Sequence, residues 1–387
     1  MSRVLIIEKR LTHYRVPLYE KLRALLAARG IELLVGYGPP HVSELSKNDV
    51  GTLDWATDVP TRYLADGRIC LQAFGAVAET CDLLIVTQEN KLVSNLLHQL
   101  RPTRYPVALW GHGANLQGDP GSLAERWKRW VSRRADWWFA YTDYTLPLLD
   151  AIGFDRSRVT VVGNAIDTQA LQQCCEASEA EGQAALRGRL GIDPEAFTAL
   201  YLGTFYAEKR LDLLFDAALA LRQRVPGFSL ILAGSGPEQA QVEAFCREHP
   251  WSRLVGQARG RLKSDVLVAC DVLLNPGAVG LGILDSFVAG RPMLTTHSRR
   301  HGPEIAYLSP GVNGEITEQT VDAYVEAVCR LQAQPEVYAR MAARCRASAR
   351  TYSIDAMARS FADGIGQCLA AQLRPAARPS WPGLPRG

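Results

Sequence analysis

The sequence predicts an α/β protein built from two Rossmann-like domains, each with a parallel sheet, that face a common cleft. In both halves, short apolar runs alternate with helical patterns of about 10 to 15 residues, as in consecutive βαβ units. A stretch rich in Ala, Glu and Gln interrupts this alternation over residues 169–195. The chain has 387 residues, and a single hydrophobic core rarely serves so many. Two domains in series are therefore expected, with a ligand bound between them.

The strands of the first half are expected where short apolar runs lie between turn residues. They cover residues 4–7, 31–35, 83–86, 107–110, 137–141 and 159–162. Helices are expected over residues 16–28, where Pro17 suits the first turn, and over residues 92–100. Parallel strands that are joined through helices predict right-handed crossovers.

The same alternation restarts in the second half. Its strands are expected at residues 199–202, 229–233, 254–255, 272–275 and 293–295, and its helices at residues 208–223, 237–248, 263–269, 283–289, 321–332 and 353–373. The expected domains are residues 1–168 and 196–350, joined by a linker over residues 169–195. A C-terminal helix over residues 351–373 is expected to return to the first domain. The proline-rich residues 374–387 are expected to be disordered.

Composition excludes several classes of protein. The hydrophobic share of 47% and the charged share of 21% are typical of soluble globular proteins. No apolar run approaches the roughly 20 residues of a membrane-spanning helix, and the N-terminus lacks the pattern of a signal peptide, so we expect a cytoplasmic protein. The nine cysteines are scattered, which argues against a zinc site or a disulfide framework. A net charge of +3 is too small to indicate nucleic-acid binding.

Two strand-end loops of the second half carry charged side chains. The strand ending at Gly203 leads to a helix start with Lys209 and Arg210, and the strand before the glycine turn leads to Asp285. Parallel strands present such loops at one edge of the sheet. Cations and helix N-terminal amides bind diphosphates, and a carboxylate accepts hydrogen bonds from ribose hydroxyls. The loops therefore predict a nucleoside diphosphate sugar as ligand. Two structural explanations remain open, because Lys209 and Arg210 could simply begin a solvated helix and Asp285 could simply interact with a helix dipole.

Two loops of the first half carry further candidates. His112 follows a strand and is flanked by glycines, which predicts a position at the sheet edge. There it could face a bound ligand, although a lone histidine is more often structural. His13, Tyr14 and Arg15 lie between the first strand and the first helix and are expected to face the ligand.

Several segments, in the correct order, resemble the retaining glycosyltransferases of the GT-B class, family 4 type. In the second half these are GTFYAEKRLDLL, LILAGSGPEQAQVE, LVGQARGRLKSDVLVACDVLLNPG, GLGILDSFVAGRPMLTT and PEIAYLSPGVNGEI. In the first half they are HYRVPLYEKL, LWGHGANL and VVGNAIDTQAL. The resemblance covers residues 1–370. It implies transfer of a hexose from a nucleoside diphosphate sugar to a polysaccharide, lipopolysaccharide or lipid-linked oligosaccharide, with retention of the anomeric configuration.

The resemblance also implies roles for individual residues. It implies that His112 and Lys209 are catalytic, that Asn164 is a weaker candidate, and that His13, Tyr14 and Arg15 bind the acceptor. The residues implied to bind the donor are Gly203, Thr204, Lys209, Arg210, Gly280, Leu281, Asp285 and Glu304.

The chain departs from the family pattern at the donor site. Family members usually carry two glutamates around the glycine turn, where this chain has Gly277 and Asp285. They also carry an arginine where this chain has Thr204. Two alternatives therefore remain open, a nucleotide-sugar epimerase or hydrolase on the same fold and a non-catalytic nucleotide-sugar binding protein.

Residues 124–138 combine basic and aromatic side chains. Trp127 and Trp130 lie among basic residues, which are Arg126, Lys128, Arg129, Arg133 and Arg134. This composition is typical of a helix that lies on an anionic membrane surface. A helix that packs its tryptophans on the sheet and exposes its basic side chains to solvent would explain it equally. No D-x-D dyad of the metal-dependent sugar transferases occurs at a strand end, so neither a metal nor another cofactor is expected.

Overall fold

The computed structural model describes residues 1–47, 49–113 and 123–371, and the chain divides into two compact units. The first unit contains Met1–Ile166 and Ile354–Gly387, and the second contains Asp167–Ser353. The expected disordered tail over residues 374–387 lies outside the described residues, as does the end of the LWGHGANL motif. None of the described helices is both long enough and apolar enough to cross a bilayer.

The described part of the first unit is built around a parallel sheet. The strands of this unit are β1 (Ser2–Glu8), β2 (Ile31–Tyr37), β3 (Thr57–Asp58), β4 (Thr61–Leu64), β5 (Ile69–Gln72), β6 (Leu83–Thr87), β7 (Val107–Gly111), β8 (Trp137–Ala140) and β9 (Val159–Val161). Seven of them form the sheet in the order β3-β2-β1-β6-β7-β8-β9, and β4 and β5 form a separate antiparallel pair. In this register Val4 lies beside Leu33 and Leu83.

Helices cover this sheet, which explains why its central strands are apolar on both faces. They are α1 (Val16–Ala27), α2 (Gly75–Ala78), α3 (Val93–Leu100), α4 (Leu123–Ser132) and α5 (Thr145–Ala151). Every residue of β6 and β7 is buried. In α1, Leu18, Leu22 and Leu26 recur every fourth residue and form the buried stripe of an amphipathic helix.

The second unit contains a parallel sheet of six strands in the described chain. They are β10 (Thr198–Leu202), β11 (Ser229–Ala233), β12 (Ser252–Gly256), β13 (Val272–Leu274), β14 (Met293–Thr296) and β15 (Gly314–Thr317). Their order in the sheet is β12-β11-β10-β13-β14-β15. The fold class predicted from the sequence, α/β with two Rossmann-like parallel sheets, is confirmed.

The helices of the second unit pack on both faces of its sheet. They are α6 (Gln169–Glu181), α7 (Gln183–Arg189), α8 (Leu211–Arg224), α9 (Gln239–Glu248), α10 (Gly260–Ala269), α11 (Gly282–Ala289), α12 (Val321–Gln332) and α13 (Pro335–Thr351). Leu214 and Leu221 of α8 share one buried cluster with Tyr324 and Val328 of α12. This cluster fixes α8, and with it the loop that precedes α8.

The stretch predicted as an interdomain linker, residues 169–195, is largely helical and belongs to the second unit. Its helices α6 and α7 pack against α10. The Ser178 hydroxyl donates to Asp265 at 2.8 Å, and the Arg187 guanidinium pairs with Asp271 at 2.7 Å. Polar contacts take the place of many of the buried apolar side chains by which a packed helix is recognised in a sequence. The stretch therefore resembled a linker.

The last described helix, α14 (Ile354–Ala370), packs in the first unit against α1. The ring of Phe361 lies 5.0 Å from Trp110 and 4.6 Å from Phe139, measured between ring centroids. Gly364 passes so close to β9 that a Cβ there would lie 2.5 Å from the Thr160 hydroxyl oxygen. The residue at position 364 therefore sets how closely α14 docks.

Each sheet has one point where the strand order changes direction. In the first unit this point lies between β1 and β6, and in the second unit it lies between β10 and β13. Ligands of open parallel sheets bind at the carboxyl ends of the strands beside this point. The candidate residues are therefore those that follow β1, β6, β10 and β13.

Candidate functional site

In the second unit, the loops that follow β10, β13 and β14 are bonded to one another through their backbones. The amide of Ala278 donates to the Glu208 carbonyl at 2.8 Å, and the amide of Gly302 donates to the Val279 carbonyl at 2.7 Å. The Lys209 ammonium donates to the Ala278 carbonyl. The three loops therefore form one preorganised edge of the sheet.

Lys209 lies at the centre of this edge. It ends a single 3-10 turn, Ala207–Lys209, and Arg210 follows in the left-handed region with φ of 54° before α8 begins. The predicted helix start at residue 208 was therefore early. The ammonium is half-buried, and burial lowers the pKa of Lys209 to about 8. Within the described chain, no carboxylate forms an ion pair with it.

Arg210 and Thr204, which were predicted beside Lys209, face other surroundings. The Arg210 guanidinium forms an ion pair with Asp212 at 2.8 Å and is partly exposed. Thr204 is exposed, and its carbonyl accepts a hydrogen bond from the Tyr201 hydroxyl at 2.9 Å. Gly203 precedes Thr204, and its carbonyl oxygen lies against Gly234. The Nε and Nη2 atoms of Arg210 donate to Asp212, and its predicted role in diphosphate binding stays a prediction.

Gly277 occupies a position with no room for a side chain. A Cβ there would lie 2.2 Å from the Glu208 carbonyl oxygen and 2.3 Å from the Lys209 carbonyl carbon. The backbone of the 207–210 turn thus fills the space into which a glutamate at position 277 would project. Glycine at position 277, where the family pattern has glutamate, lets the two loops lie in close contact.

The start of α11 is open to a ligand. A Cβ on Gly282 would meet no atom within 4 Å, and one on Gly280 would meet only a Glu304 carboxylate oxygen at 3.9 Å. Leu281, the N-cap residue, makes no side-chain capping bond. Backbone amides at the start of a helix favour anions. This terminus therefore adds neutral donors close to the loop that Lys209 contacts.

The two acidic candidates of this unit are both buried. Asp285 forms an ion pair with Lys263 at 2.8 Å, from a position one turn inside α11. Glu304 begins a short 3-10 helix, Pro303–Tyr307, next to Gly280. Asp285 therefore already has a cationic partner. A ribose hydroxyl could donate only to the carboxylate lone pairs that Lys263 does not use.

The sequence analysis missed His301, which holds two loops together. Its Nδ1 accepts a hydrogen bond from the Val279 amide at 3.0 Å, and its Nε2 lies 2.8 Å from the Thr296 carbonyl oxygen. Burial lowers its pKa, so the ring is neutral at pH 7 with the proton on Nε2. No spacing in the sequence distinguishes this histidine from a surface residue.

In the first unit, His112 lies at the carboxyl end of β7. Its ring packs edge-on against Tyr141, with 4.4 Å between centroids, and the backbone turns sharply at Gly113, whose φ is 82°. Burial lowers the pKa of His112 to about 4, and the charges of Lys128 and Arg15 contribute. Its Nδ1 is buried without a hydrogen-bond partner among the described residues. The imidazole is therefore neutral and has one unused polar atom.

Arg15 faces inward in the first unit, and its predicted contact with the acceptor stays a prediction. Its guanidinium donates to the Asn164 side chain at 2.8 Å and lies over the Trp110 ring, 4.9 Å from the centroid. It also contacts Met357 of α14. Arg15 and Asn164 therefore hold the first unit together. His13 is exposed and Tyr14 is half-buried, so these two remain candidates for acceptor binding.

The helix α4 is shorter than the predicted basic stretch and has two different faces. Trp127 and Trp130 are 41% and 37% exposed, and their rings stack with 5.0 Å between centroids. Arg134 lies over Trp130. Lys128, which was counted in the same basic stretch, lines a pocket on the opposite side, against α3 and β6. Arg129 pairs with the buried Glu125 at 3.4 Å.

We name the remaining exposed surface the outer face of α4. It contains Arg126, Trp127 and Trp130 of α4, together with Arg133 and Arg134, which follow the end of the helix at Ser132. The buried tryptophans of the stretch are Trp137 and Trp138 of β8. Trp127 and Trp130 are exposed and therefore do not pack on the sheet, while attachment of this face to a membrane stays a prediction. In residues 1–47, 49–113 and 123–371, no group of three or more His, Cys, Asp or Glu side chains could hold a metal ion.

Comparison with known proteins finds similarity to sugar transferases. Residues 196–334 match the model of the family described as Glycosyl transferases group 1. Over 204 residues the chain is 30% identical to D-inositol 3-phosphate glycosyltransferase of Streptomyces griseus subsp. griseus, covering 47% of this chain and 41% of that protein. Over 162 residues it is 25% identical to a GDP-mannose-dependent alpha-(1-6)-phosphatidylinositol dimannoside mannosyltransferase of Mycobacterium tuberculosis, covering 41% and 42%. The chain thus spans about two fifths of the length of these relatives.

The likeness to solved structures extends over the whole fold. HepE from Anabaena in complex with UDP superposes with a TM-score of 0.66 at 14% identity, over 95% of this chain and 100% of that one. Together these comparisons show a GT-B fold in which residues 196–334 match the model of the family described as Glycosyl transferases group 1.

Proposed function

We propose that this protein is a retaining glycosyltransferase of the family 4 type, which moves a hexose from a nucleoside diphosphate sugar to a glycan or lipid-linked acceptor. The observation that carries the proposal is the half-buried Lys209 ammonium, which has no carboxylate partner in the described chain. A cation in such surroundings is unfavourable unless an anion joins it. It lies at the sheet edge where parallel sheets bind ligands.

A diphosphate fits this edge better than other anions do. Lys209 supplies a point charge, and the open N-terminus of α11 supplies backbone amides close to the loop that Lys209 contacts. Donors of both kinds stabilise the negative charge that develops on a leaving diphosphate. One of the relatives is named as GDP-mannose-dependent, and one structural neighbour holds UDP. We therefore expect the donor to be a UDP-hexose or a GDP-hexose.

His112 is proposed to donate or accept a hydrogen bond on the transferred sugar. A pKa of about 4 makes its imidazole a poor general base at pH 7. The proton of the acceptor hydroxyl would then pass to the leaving diphosphate, in agreement with retention. Replacing His112 with Ala should lower kcat much more than it lowers Tm, and a variant with normal kcat would remove His112 from the reaction.

The reaction is proposed to need no metal ion, because Lys209 and the α11 amides provide the positive charge. We also propose that the outer face of α4 holds the enzyme on the cytoplasmic surface of an anionic membrane, where a lipid-linked acceptor would be found. Exposed, stacked tryptophans beside arginines support this attachment.

Calorimetry with nucleoside diphosphates tests the donor site. Lys209→Gln should weaken the binding of UDP or GDP about ten- to a hundredfold, because one charge-assisted hydrogen bond is lost. The matched control is Arg224→Gln, which removes an exposed ion pair with Glu326 in the same unit and should leave affinity unchanged. Equal affinity in wild type and a folded Lys209→Gln variant would refute the proposed site.

A further inference from the structure

The peptide bond between Ala278 and Val279 is held at both ends by side chains from other loops of the second unit. At one end, the Val279 amide donates to Nδ1 of His301 at 3.0 Å. At the other end, the Ala278 carbonyl accepts a hydrogen bond from the Lys209 ammonium. The peptide is trans and planar, so its N–H and its carbonyl point in opposite directions from one rigid group. His301 and Lys209 are thus linked through a single peptide group.

Hydrogen bonds of its own fix His301 in place. Its Nε2 donates to the carbonyl oxygen of Thr296, the last residue of β14, at 2.8 Å. The amide of the next residue, Gly302, donates to the Val279 carbonyl at 2.7 Å. Residues 301 and 302 therefore hold both backbone polar groups of Val279. The His301 ring is buried, so little water competes for its two nitrogens.

Other contacts of this loop act at different points. The Thr296 hydroxyl donates to the Pro276 carbonyl at 2.7 Å, which fixes the chain before Ala278. The amide nitrogen of the Asn275 side chain also reaches the Ala278 carbonyl, but at the long distance of 3.4 Å. Among the described residues, His301 alone binds the N–H of the peptide whose carbonyl faces Lys209.

The direction of this peptide decides where the Lys209 ammonium lies. The ammonium is half-buried and forms no ion pair with a described carboxylate, so the Ala278 carbonyl is its anchor. An acceptor at the N–H end polarises a peptide and strengthens its carbonyl as an acceptor. Without His301 the peptide could turn and take its carbonyl away from Lys209. Gly282, where α11 begins, follows in the same loop and would be displaced by the same turn.

We propose that His301 is a positioning residue of the donor site, which aims the Ala278 carbonyl at Lys209 and so holds the ammonium and the start of α11 ready for one diphosphate. This role rests on the proposed function, since it needs a diphosphate at this edge of the sheet. His301 acts through the peptide and not by contact with the ligand. Its loss should therefore be felt by the phosphates of the donor and not by the nucleoside.

A purely structural role for His301 predicts different results. A histidine that only stabilises the second unit would, when lost, weaken the binding of nucleoside and diphosphate alike. A positioning residue weakens the phosphate contact alone, and only while Lys209 is present to be positioned. Comparison of phosphate-bearing with phosphate-free probes, and a double-mutant cycle with Lys209, therefore separate the two roles.

The experiment compares wild type with His301→Phe, which removes both ring nitrogens and keeps an aromatic ring, and with His301→Asn. Oδ1 of asparagine is bonded to Cγ, as Nδ1 of histidine is, so it can still accept from the Val279 amide. His249→Phe is the matched control, because His249 follows α9 and packs against Phe245 and Trp251 before β12, at the opposite end of the strands. Melting temperatures confirm folding. The probes are UDP, GDP, uridine and guanosine, with binding measured by calorimetry and by saturation-transfer NMR.

Three results together support the positioning role. His301→Phe weakens UDP or GDP about tenfold, while the nucleosides bind as they do to wild type and His249→Phe changes neither. His301→Asn recovers most of the lost affinity. The double variant His301→Phe with Lys209→Gln binds the diphosphate no more weakly than Lys209→Gln alone, because no ammonium is left to position.

Other results overturn it. These are wild-type affinity for the diphosphates in folded His301→Phe, an equal loss for the nucleosides, or losses that add in the double variant. If His301→Phe does not fold, His301→Gln replaces it under the same criteria, since its longer amide reaches the Thr296 carbonyl and leaves the Val279 amide unpaired.

Failure of the proposed function gives a different result, a wild-type protein that binds neither UDP nor GDP. In that case hydrogen exchange of residues 276–282 decides whether His301 holds the loop. Faster exchange there in His301→Phe than in His249→Phe supports the hold on the loop, and equal exchange overturns it.

Discussion

The charge of Lys209 should make binding at the proposed donor site depend on pH, because the pKa of Lys209, about 8, lies well below that of a free lysine. Burial is the cause, so the group is charged below pH 8 and increasingly neutral above it. A bound diphosphate would favour the charged form and raise this pKa. At a pH between the pKa of Lys209 in the free protein and its raised pKa in the complex, binding of the diphosphate must therefore take up a proton.

We predict that affinity for UDP or GDP falls as pH rises from 7.5 to 9.5, by up to about tenfold per pH unit. Calorimetry in buffers of different ionisation enthalpy should detect the proton taken up near pH 8.5. The Lys209→Gln variant should show a flat profile over this range. A wild-type profile that is equally flat would mean that Lys209 does not contact the diphosphate.

Gly277 shows how a single position shapes the same edge. Gly277→Ala should destabilise the protein by about 1 to 3 kcal/mol, because its Cβ would overlap the backbone of Glu208 and Lys209. Gly280→Ala is the control, since its Cβ meets only the Glu304 carboxylate at 3.9 Å. Urea unfolding measures both. Similar stability of the two variants would show that the 207–210 turn moves easily away from Gly277.

At the scale of one element, α14 offers a matched pair of glycines. Gly364 touches Thr160, whereas a Cβ on Gly366 would meet only the Arg29 guanidinium at 3.9 Å. We predict that Gly364→Ala lowers Tm and that Gly366→Ala raises stability by up to about 1 kcal/mol, because alanine favours a helix. If both substitutions stabilise the protein, α14 does not dock closely on β9.

The elements that could be predicted from sequence were those with strong apolar patterns. Strands such as β6 and β11 are continuous buried runs, and α8 has a buried stripe that recurs with helical spacing. The helix α13 was missed, because only Met341, Ala342 and Cys345 of its 17 residues are buried. Strands β3, β4 and β5 are two to four residues long, too short to show a period.

The candidate site was predicted less completely than the fold. The positions of Lys209 and His112 at strand ends follow from strand boundaries, which sequence patterns show well. The inward direction of Arg15 and Lys128 does not follow from them, because it depends on partners distant in sequence, such as Asn164 and the pocket of α3. The ion pair of Asp285 with Lys263 could not be predicted either, because Lys263 lies elsewhere in the sequence.

At the scale of the whole molecule, the outer face of α4 is proposed to attach the protein to a membrane surface. We predict that the protein sediments with vesicles containing phosphatidylglycerol but not with pure phosphatidylcholine, and that high salt releases it. Each arginine near an anionic surface contributes about 1 kcal/mol. Trp127→Ser with Trp130→Ser should abolish sedimentation, whereas Lys128→Gln should not, because Lys128 lines the pocket. Equal sedimentation of the tryptophan variant would refute attachment through this face.

The central claim is that the whole molecule transfers a hexose with retention. It is tested most directly by proton NMR of the first sugar product formed from an α-linked UDP-hexose or GDP-hexose in the presence of EDTA, with a methyl glycoside or water as acceptor. We predict that a nucleoside diphosphate is released together with an α-configured product. A β-configured product, an epimerised sugar nucleotide, or no turnover until a divalent metal is added would contradict the account.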